Sequence, residues 1–277
     1  MKISIYCLFR DSAARIQNLF AQIEEIEAAN IAELNMFFYE NDSADNTKHL
    51  LKSFLNGRSG KLLAEQLGAK RFGSSTSPER MAFMCSCRNK CRSLGIDSEA
   101  DYALVIDSDI SFNSENLLRS INVLEKNKNI VMTTPNVRQP IKDLVFGESD
   151  SSYYDTYPVR DRRGNTGVYF CDCPLPHKDD RFQWKLGLLC KVHSAFGGFA
   201  LVRNEAFKKC KWSADIHCDH VYWCYDLLEY GDIVIDPLNI VHSFVEENRI
   251  DMENFKSIAT RQLQILQYCD QNLDKSL

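Results

Sequence analysis

The stretch "ALVIDSDI", from Ala103 to Ile110, decides how the rest of the chain is interpreted. Four apolar residues lead directly into Asp107 and Asp109. A continuous apolar run is typical of a parallel strand that is covered on both faces. Two carboxylates at the end of such a strand need a compensating cation, because an unpaired buried charge is costly. The stretch therefore predicts a central strand that ends in a charged site.

Strands and helices alternate along the chain on both sides of this stretch. The patterns predict strands over 2–9, 34–40, 101–108, 129–135, 232–237 and 240–244, and helices over 12–28, 80–95, 114–126, 217–231 and 252–270, with a short strand and helix within 194–207. Such alternation favours βαβ units, and so an α/β fold with a mostly parallel sheet flanked by helices. Residues 138–195 form a long irregular segment, which is typical of a functional loop.

Composition narrows the class of protein. The 277 residues are 44% hydrophobic and 26% charged, as in an ordinary soluble domain. The formal net charge of -5 argues against a general nucleic-acid binder. The chain shows neither an apolar run of roughly 18 residues nor a signal peptide at its start, so we expect no transmembrane segment and a cytoplasmic location. The oligomeric state is left open.

The eleven cysteines are odd in number and scattered through predicted helices and strands. They are interpreted as reduced thiols of a cytosolic protein. A zinc site is the alternative, with ligand types in Cys171, Cys173 and His177, and in Cys218 with His220. The paired spacing of a structural zinc site is missing, since the sequence has no Cys-x-x-Cys.

Three polar clusters follow predicted strands: 9–11, 40–42 and 107–109. In a doubly wound sheet, ligands bind beyond the carboxyl ends of the strands. There an Asp-x-Asp pair can hold Mn²⁺ or Mg²⁺ that bridges phosphate oxygens, because hard cations prefer carboxylate ligands. A solvated turn is the alternative for an isolated Asp-x-Asp.

Four stretches together resemble one family. "DYALVIDSDI" looks like the metal-binding segment of nucleotide-sugar glycosyltransferases of the GT-A fold, and "FYENDSADNT", "RMAFMCSCRNKC" and "SAFGGFALVRNEAF" agree with it in order. With "YDTYPVRD", the set is most similar to the fungal capsule-associated mannosyltransferases and, less closely, to the fungal mannan-polymerase subunits. The likeness covers residues 1–245.

The resemblance implies a single GT-A domain, with a nucleotide-sugar-binding half over 1–136, an acceptor-side half over 137–250 and a C-terminal helix over 251–277. It also implies a metal-dependent transfer of a sugar from a nucleoside-diphosphate sugar, such as GDP-mannose, to a hydroxyl of a glycan acceptor, with retention. Inversion remains open at this point, as do UDP-sugars and other GDP-sugars.

The resemblance and the strand ends together indicate donor-side residues. Arg10, Glu40, Asp42, Arg80, Arg88, Asp107 and Ser108 are expected at the nucleotide, and Asp107, Asp109 and His242 at the metal. Arg88 shares a helical stripe with Met81 and should point inward, where an arginine needs an anionic partner. The alternatives are that the turn residues are polar only because they lie in turns, and that the arginines form a solvated basic face. For His242, the alternative is a histidine buried in the core.

Acceptor-side candidates are Asp219, Asp155 with Tyr154, and the glycine pair Gly197-Gly198. Asp219 stands at a predicted helix start, so it is either a helix cap or a catalytic carboxylate, and Asp155 is the next candidate. A plain turn is the alternative for the other residues.

Two other functions are compatible with an α/β fold of this kind. A nucleotidyltransferase would usually carry a glycine-rich loop after its first strand, and "CLFRDSAAR" has no glycine. A binding module without turnover is the other, and hydrolysis of the donor would distinguish an enzyme from it.

Overall fold

The computed structural model describes residues 1–72, 77–140, 151–168, 171–213 and 218–244. Its strands are β1 Lys2–Phe9, β2 Glu33–Asn41, β3 Gly60–Glu65, β4 Tyr102–Asp107, β5 Ile110–Ser111, β6 Ile130–Pro140, β7 Ser151–Tyr153, β8 Arg160–Asp161, β9 Cys190–Ser194, β10 Phe199–Arg203 and β11 Asp232–Ser243. Its helices are α1 Ile16–Ala28, α2 Thr47–Leu55, α3 Pro78–Leu94, α4 Ser114–Lys126, α5 Lys178–Lys185, α6 Asn204–Phe207 and α7 Asp219–Leu227. The predicted helix over 252–270 lies outside the described residues.

These strands form one mixed sheet in the order β3-β2-β1-β4-β10-β6-β11-β9-β8, with β5 paired to β11 and β7 to β6. The first four strands are parallel to one another, and β6 is parallel to β11. Strand β10 runs antiparallel between β4 and β6. The α/β fold with a largely parallel sheet is thus confirmed, and the antiparallel insertion of β10 is a feature that alternation alone did not predict.

The register aligns the functional clusters. Phe9 pairs with Glu40, and Leu8 pairs with Asp107, so β1, β2 and β4 end level with one another. Phe199 pairs with Ile106 at the start of the antiparallel β10. The residues that precede β10 therefore lie at the same edge as the carboxyl ends of the parallel strands.

Both faces of the sheet are covered, as the apolar run in β4 predicts. Leu104 and Ile106 pack into a core that α1, α2 and α4 share, whereas Ala103 and Val105 pack into a second core beneath α3, α6 and α7. Burial of both side-chain sets explains why the strand shows no polar alternation.

Local chemistry sets the ends of the helices that carry the site. The Ser77 hydroxyl accepts a hydrogen bond from the amide of Arg80, and Pro78 occupies the first turn of α3. Both are favourable at a helix start. Helix α4 begins with a capping box in which the side chain of Asn113 and that of Asn116 each accept a backbone hydrogen bond from the other residue.

Some predicted bounds differ from the structure. Helix α1 begins at Ile16 instead of residue 12, because the amide of Ser12 is held by the Thr47 hydroxyl at 2.7 Å in a turn. The strands predicted over 232–237 and 240–244 are one strand, β11, with an irregularity between Asp236 and Ile240. The irregular segment contains β7, β8, α5 and β9. Among the described helices, none combines the length and apolar character needed to cross a bilayer.

Candidate active site

The Asp107–Asp109 turn is fastened to two other segments at the sheet edge. The amide of Asp107 donates to the carbonyl of Gly198 at 2.8 Å, and the amide of Phe244 donates to the carbonyl of Asp109 at 2.9 Å. The hydroxyls of Ser108 and Ser12 lie 3.3 Å apart. The side chains of Asp107 and Asp109 are both partly exposed at this edge of the sheet.

Arg88 is the positive charge that the buried end of β4 requires. Its Nε donates to Oδ2 of Asp219 at 2.7 Å, and its Nη1 lies 3.5 Å from Oδ1 of Asp107. The side chains of Arg88 and Asp219 are only 8% and 7% exposed, whereas that of Asp107 is 32% exposed. The prediction that Arg88 points inward is confirmed, and its closer partner is Asp219.

The ionisation of Asp219 follows from this pair. Burial raises its pKa, but His220 and Arg88 outweigh burial and hold the pKa well below its usual value. Helix α7 has Cys218 at its N-cap, without a side-chain capping hydrogen bond. Asp219 therefore lies in the first helical turn as a permanent anion directed at Arg88, and a carboxylate with so low a pKa is a poor proton acceptor.

The pKa values of Asp107 and Asp155 are raised, in contrast to that of Asp219. Burial, followed by the charge of Asp219, raises the pKa of Asp107 despite the nearby Arg88. Burial, followed by the charges of Asp107 and Asp219, raises the pKa of Asp155 to about 7. Asp155 also has a positive φ of 49°, an uncommon conformation for a residue with a side chain. It is a partly exposed carboxyl that changes charge near neutral pH.

The carboxylates suit a hard divalent cation. Asp107 and Asp109 offer oxygen ligands at a half-buried site, and burial, followed by the charge of Asp219, raises the pKa of Asp107, so a cation here would favour its ionised form. Within the described ranges, no group of three His, Cys, Asp or Glu side chains is close enough to hold a metal ion. Two carboxylates fit the way Mg²⁺ and Mn²⁺ bind, since the remaining ligands come from substrate phosphates and water.

Two further predicted metal ligand sets are His242 at the aspartate site and the cysteines and histidines of the zinc alternative. His242 is exposed on β11 and pairs with Ser111, two residues after Asp109. Its role at the metal stays a prediction. The described Cys171, Cys173 and His177 belong to no metal-binding group either.

The nucleotide-side candidates Arg10 and Asp42 hold one loop from two directions. Oδ1 of Asp42 accepts from the amides of Leu67 and Gly68 at 2.6 and 2.8 Å, and Nη2 of Arg10 donates to the carbonyl of Ala69 at 2.7 Å. Burial raises the pKa of Asp42, but hydrogen bonds from Asn41 and the loop amides lower it to about 2. Both residues shape the loop that would border a bound nucleoside.

Glu40 and Arg80 are two further residues predicted at the nucleotide. Glu40 is buried and accepts from the amide of Ser43 at 2.8 Å. Arg80 is partly exposed in the first turn of α3, and its charge acts to lower the pKa of Asp107, against the larger effect of burial. Direct contact of either residue with a donor stays a prediction.

Gly198 permits the close approach of β10 to the aspartate turn. It has a φ of +85°, and a Cβ at this position would lie 2.6 Å from the side chain of Ile110. Gly197, with a φ of +60°, would meet Val137 at 2.9 Å. Glycine is required here by backbone conformation and by space together.

Sequence reasoning gave no part in this site to four residues behind Arg88: Asn89, Phe196, Trp212 and His220, the last considered only as a zinc ligand. Asn89 follows Arg88 in the quoted "CRNKC", and His220 follows Asp219, so adjacency was the available signal. Trp212 carried none, because its role depends on how three distant segments meet.

A surface groove lies away from the candidate site. It encloses about 600 Å³ between α4 and the segment containing Gly187 and Leu189. None of the candidate residues lines it, so chemistry places the candidate site at the sheet edge instead.

No family model and no curated protein matches this sequence. Solved structures do match at low identity. A fragment of TarS from S. aureus in complex with UDP-GlcNAc is 13% identical, with a TM-score of 0.54, over 97% of this chain and 71% of that one. Mannosyltransferase PcManGT from Pyrobaculum calidifontis, in complex with GDP-Man and Mn²⁺, is 10% identical, with a TM-score of 0.51, over 95% of this chain and 62% of that one. The chain thus has the fold of the GT-A glycosyltransferases.

Proposed function

We propose that this protein is a metal-dependent glycosyltransferase that moves a sugar from a nucleoside-diphosphate sugar to a hydroxyl of a glycan acceptor. The observation that carries the proposal is the position of Asp107 and Asp109 at the end of β4, with Arg88 behind them and Asp155 beside them. The matching structures that bind UDP-GlcNAc, or GDP-Man and Mn²⁺, support a sugar nucleotide as the donor.

The donor would be held by charge at its diphosphate. Asp107 and Asp109 would hold Mn²⁺ or Mg²⁺, which when bound neutralises charge on the leaving diphosphate. Arg88 and Arg80 supply guanidinium donors to the phosphate oxygens. Ser108, Arg10, Glu40 and Asp42, with the loop over 67–70, would border the ribose and base.

Asp155 is the catalytic carboxylate in this proposal. In the transfer, the bond between the anomeric carbon and the diphosphate oxygen breaks, and the acceptor oxygen bonds to that carbon while it loses its proton. Burial is the main cause of the raised pKa of Asp155, and it makes this carboxylate a stronger proton acceptor than a solvated one. Asp219, with its pKa held low, would orient Arg88 instead.

The finer proposal concerns donor and stereochemistry. The resemblance to the fungal mannosyltransferases supports GDP-mannose and retention. The raised pKa of Asp155 supports a side-chain base that takes the proton of the acceptor, and an inverting transfer needs such a base. The anomeric proton signal of the product, followed by NMR from the first turnover, distinguishes the two outcomes.

A panel of nucleotide sugars with Mn²⁺ tests the proposal, with nucleotide release and thermal shift as readouts. We expect Asp109→Asn to abolish turnover while the variant melts near wild type, because the residue lies at the surface of the edge. Asp101→Asn is the matched control, since Asp101 binds the amide of Lys2 at the opposite end of β4. Equal nucleoside-diphosphate affinity with Mn²⁺ and with excess chelator would rule out the metal-dependent site.

A further inference from the structure

Five residues behind the candidate site form a closed ring of contacts. The side chain of Asn89 binds the backbone of Trp212 twice, donating to its carbonyl at 2.7 Å and accepting from its amide at 3.0 Å. The Trp212 indole Nε1 donates to Nδ1 of His220 at 3.4 Å. His220 adjoins Asp219, which binds Arg88, and Arg88 adjoins Asn89 on α3. The ring joins α3, the segment after α6 and the start of α7.

The ring fixes which nitrogen of His220 carries the proton. An indole N–H can only donate, so Nδ1 of His220 must be an acceptor and Nε2 carries the hydrogen. Burial, followed by the charge of Arg88, lowers the pKa of His220 to about 3, so the imidazole is neutral. Nε2 lies 3.8 Å from Oδ2 of Asp219, the oxygen that also receives Arg88. At this distance the contact with the carboxylate is electrostatic, and Nε2 has no hydrogen-bond partner among the described residues.

One aromatic ring supports both His220 and Arg88. The imidazole stacks on Phe196 at 3.8 Å with an interplanar angle of 16°. The Arg88 guanidinium carbon lies 5.2 Å from the centre of the same ring. Phe196 thus limits movement of the guanidinium on one face, while Asp219 engages its Nε. Its Nη1 lies 3.5 Å from Oδ1 of Asp107.

We propose that Asn89, Trp212 and His220 are positioning residues that hold Asp219, and through it Arg88, in the orientation that receives the diphosphate of the donor. This inference rests on the proposed function. The buried arginine is long and has many rotamers, so a guanidinium fixed in advance loses less entropy when it binds phosphate. Displacing the ring should therefore weaken recognition of the diphosphate more than recognition of the nucleoside.

Trp212→Phe tests the ring, because it removes the indole donor and keeps an aromatic side chain. Trp223→Phe is the matched control. Trp223 stacks on Trp212 at 4.5 Å, and its own Nε1 has no hydrogen-bond partner within the described part of the chain. Both variants lose the same atoms from one buried layer, but only Trp212→Phe opens the ring.

The readout is the ratio of dissociation constants for a nucleoside monophosphate and its diphosphate, measured by calorimetry with Mn²⁺ for UMP and UDP and for GMP and GDP. We expect Trp212→Phe to lower the diphosphate preference roughly tenfold, the scale of one charge-assisted hydrogen bond, and Trp223→Phe to leave it near wild type. Equal effects in the two variants, or no effect in either, would overturn the proposal even if both lose thermal stability.

A second pair of variants acts at His220. Gln places an amide N–H near the position of Nε2, whereas Asn places its amide near that of Nδ1. We expect His220→Gln to retain more of the diphosphate preference than His220→Asn, because it keeps an N–H at the Nε2 position, 3.8 Å from Asp219; the reverse order would overturn the role of that contact. If wild type itself shows no diphosphate preference with Mn²⁺, the proposed function fails as well. A normal wild-type preference that Trp212→Phe leaves intact refutes the ring alone.

Discussion

Arg88 and Asp219 form a buried ion pair at 2.7 Å across 131 positions of the chain, joining α3 to α7. Removing one partner leaves the other buried without compensation, which typically costs about 3–5 kcal/mol. The pair is therefore a structural tie as well as a part of the candidate site.

We expect Arg88→Met and Asp219→Ala each to lower the free energy of unfolding by about 3–5 kcal/mol, and the double variant to lose less than the sum, with a coupling of about 1–3 kcal/mol. Urea unfolding of the four proteins measures this cycle. The exposed pair Lys128 and Glu125 is the control, and we expect little or no coupling there because solvent screens the two charges. Additive losses at Arg88 and Asp219 would show that the ion pair does not couple the helices.

The pKa of Asp155 predicts a pH dependence of stability in the metal-free protein. Its folded pKa of about 7 exceeds the unfolded value of about 3.9, so the folded chain keeps a proton that the unfolded chain releases. The contribution of this proton to the free energy of unfolding is complete below about pH 4. It falls as the pH rises and is lost above about pH 7. Asp155→Asn should remove this slope. The Tm of the variant should therefore rise relative to that of wild type as the pH increases from 5 to 8. Parallel Tm curves for the two proteins would contradict the raised pKa.

Gly198 should be more sensitive to alanine than a glycine in open space. Its φ is +85° and a Cβ would meet the fully buried Ile110, whereas Gly164 has a φ of +84° and nothing within 4 Å. Gly164→Ala should cost about 1–2 kcal/mol from the backbone alone, and Gly198→Ala should cost more. Because Gly198 accepts from the amide of Asp107, its variant should also weaken Mn²⁺-dependent binding. Equal losses in urea unfolding would show that space at Gly198 is not limiting.

The cysteines should titrate as thiols only when the chain unfolds. The ten that the structure describes are free, and eight of them are buried. Burial raises the pKa of Cys91 and that of Cys85 to about 12, so the reactive thiolate is scarce. A thiol reagent should find nearly all eleven under denaturing, non-reducing conditions and few in the native protein. A stable denatured count well below eleven would reveal disulfides.

Periodicity in the sequence was sufficient for the elements whose burial is local. The sequence patterns predicted β1 over 2–9 and α4 over 114–126 with the bounds that the structure has. The unbroken run before Asp107 predicted a strand covered on both faces. Where distant contacts set the bounds, as at Ser12 and Thr47, the prediction was wrong by several residues.

The sequence by itself determined the fold class, the position of two aspartates at a strand end and the inward face of Arg88, because periodicity and burial act over a few residues. Only the tertiary structure decided that Arg88 pairs with Asp219, that Asp155 lies close enough to Asp107 to share its field, and that Trp212 and His220 close the ring. The antiparallel insertion of β10 brings these segments to one edge. Ionisation and orientation depend on charges brought within a few ångströms, and that proximity is created only when the chain folds.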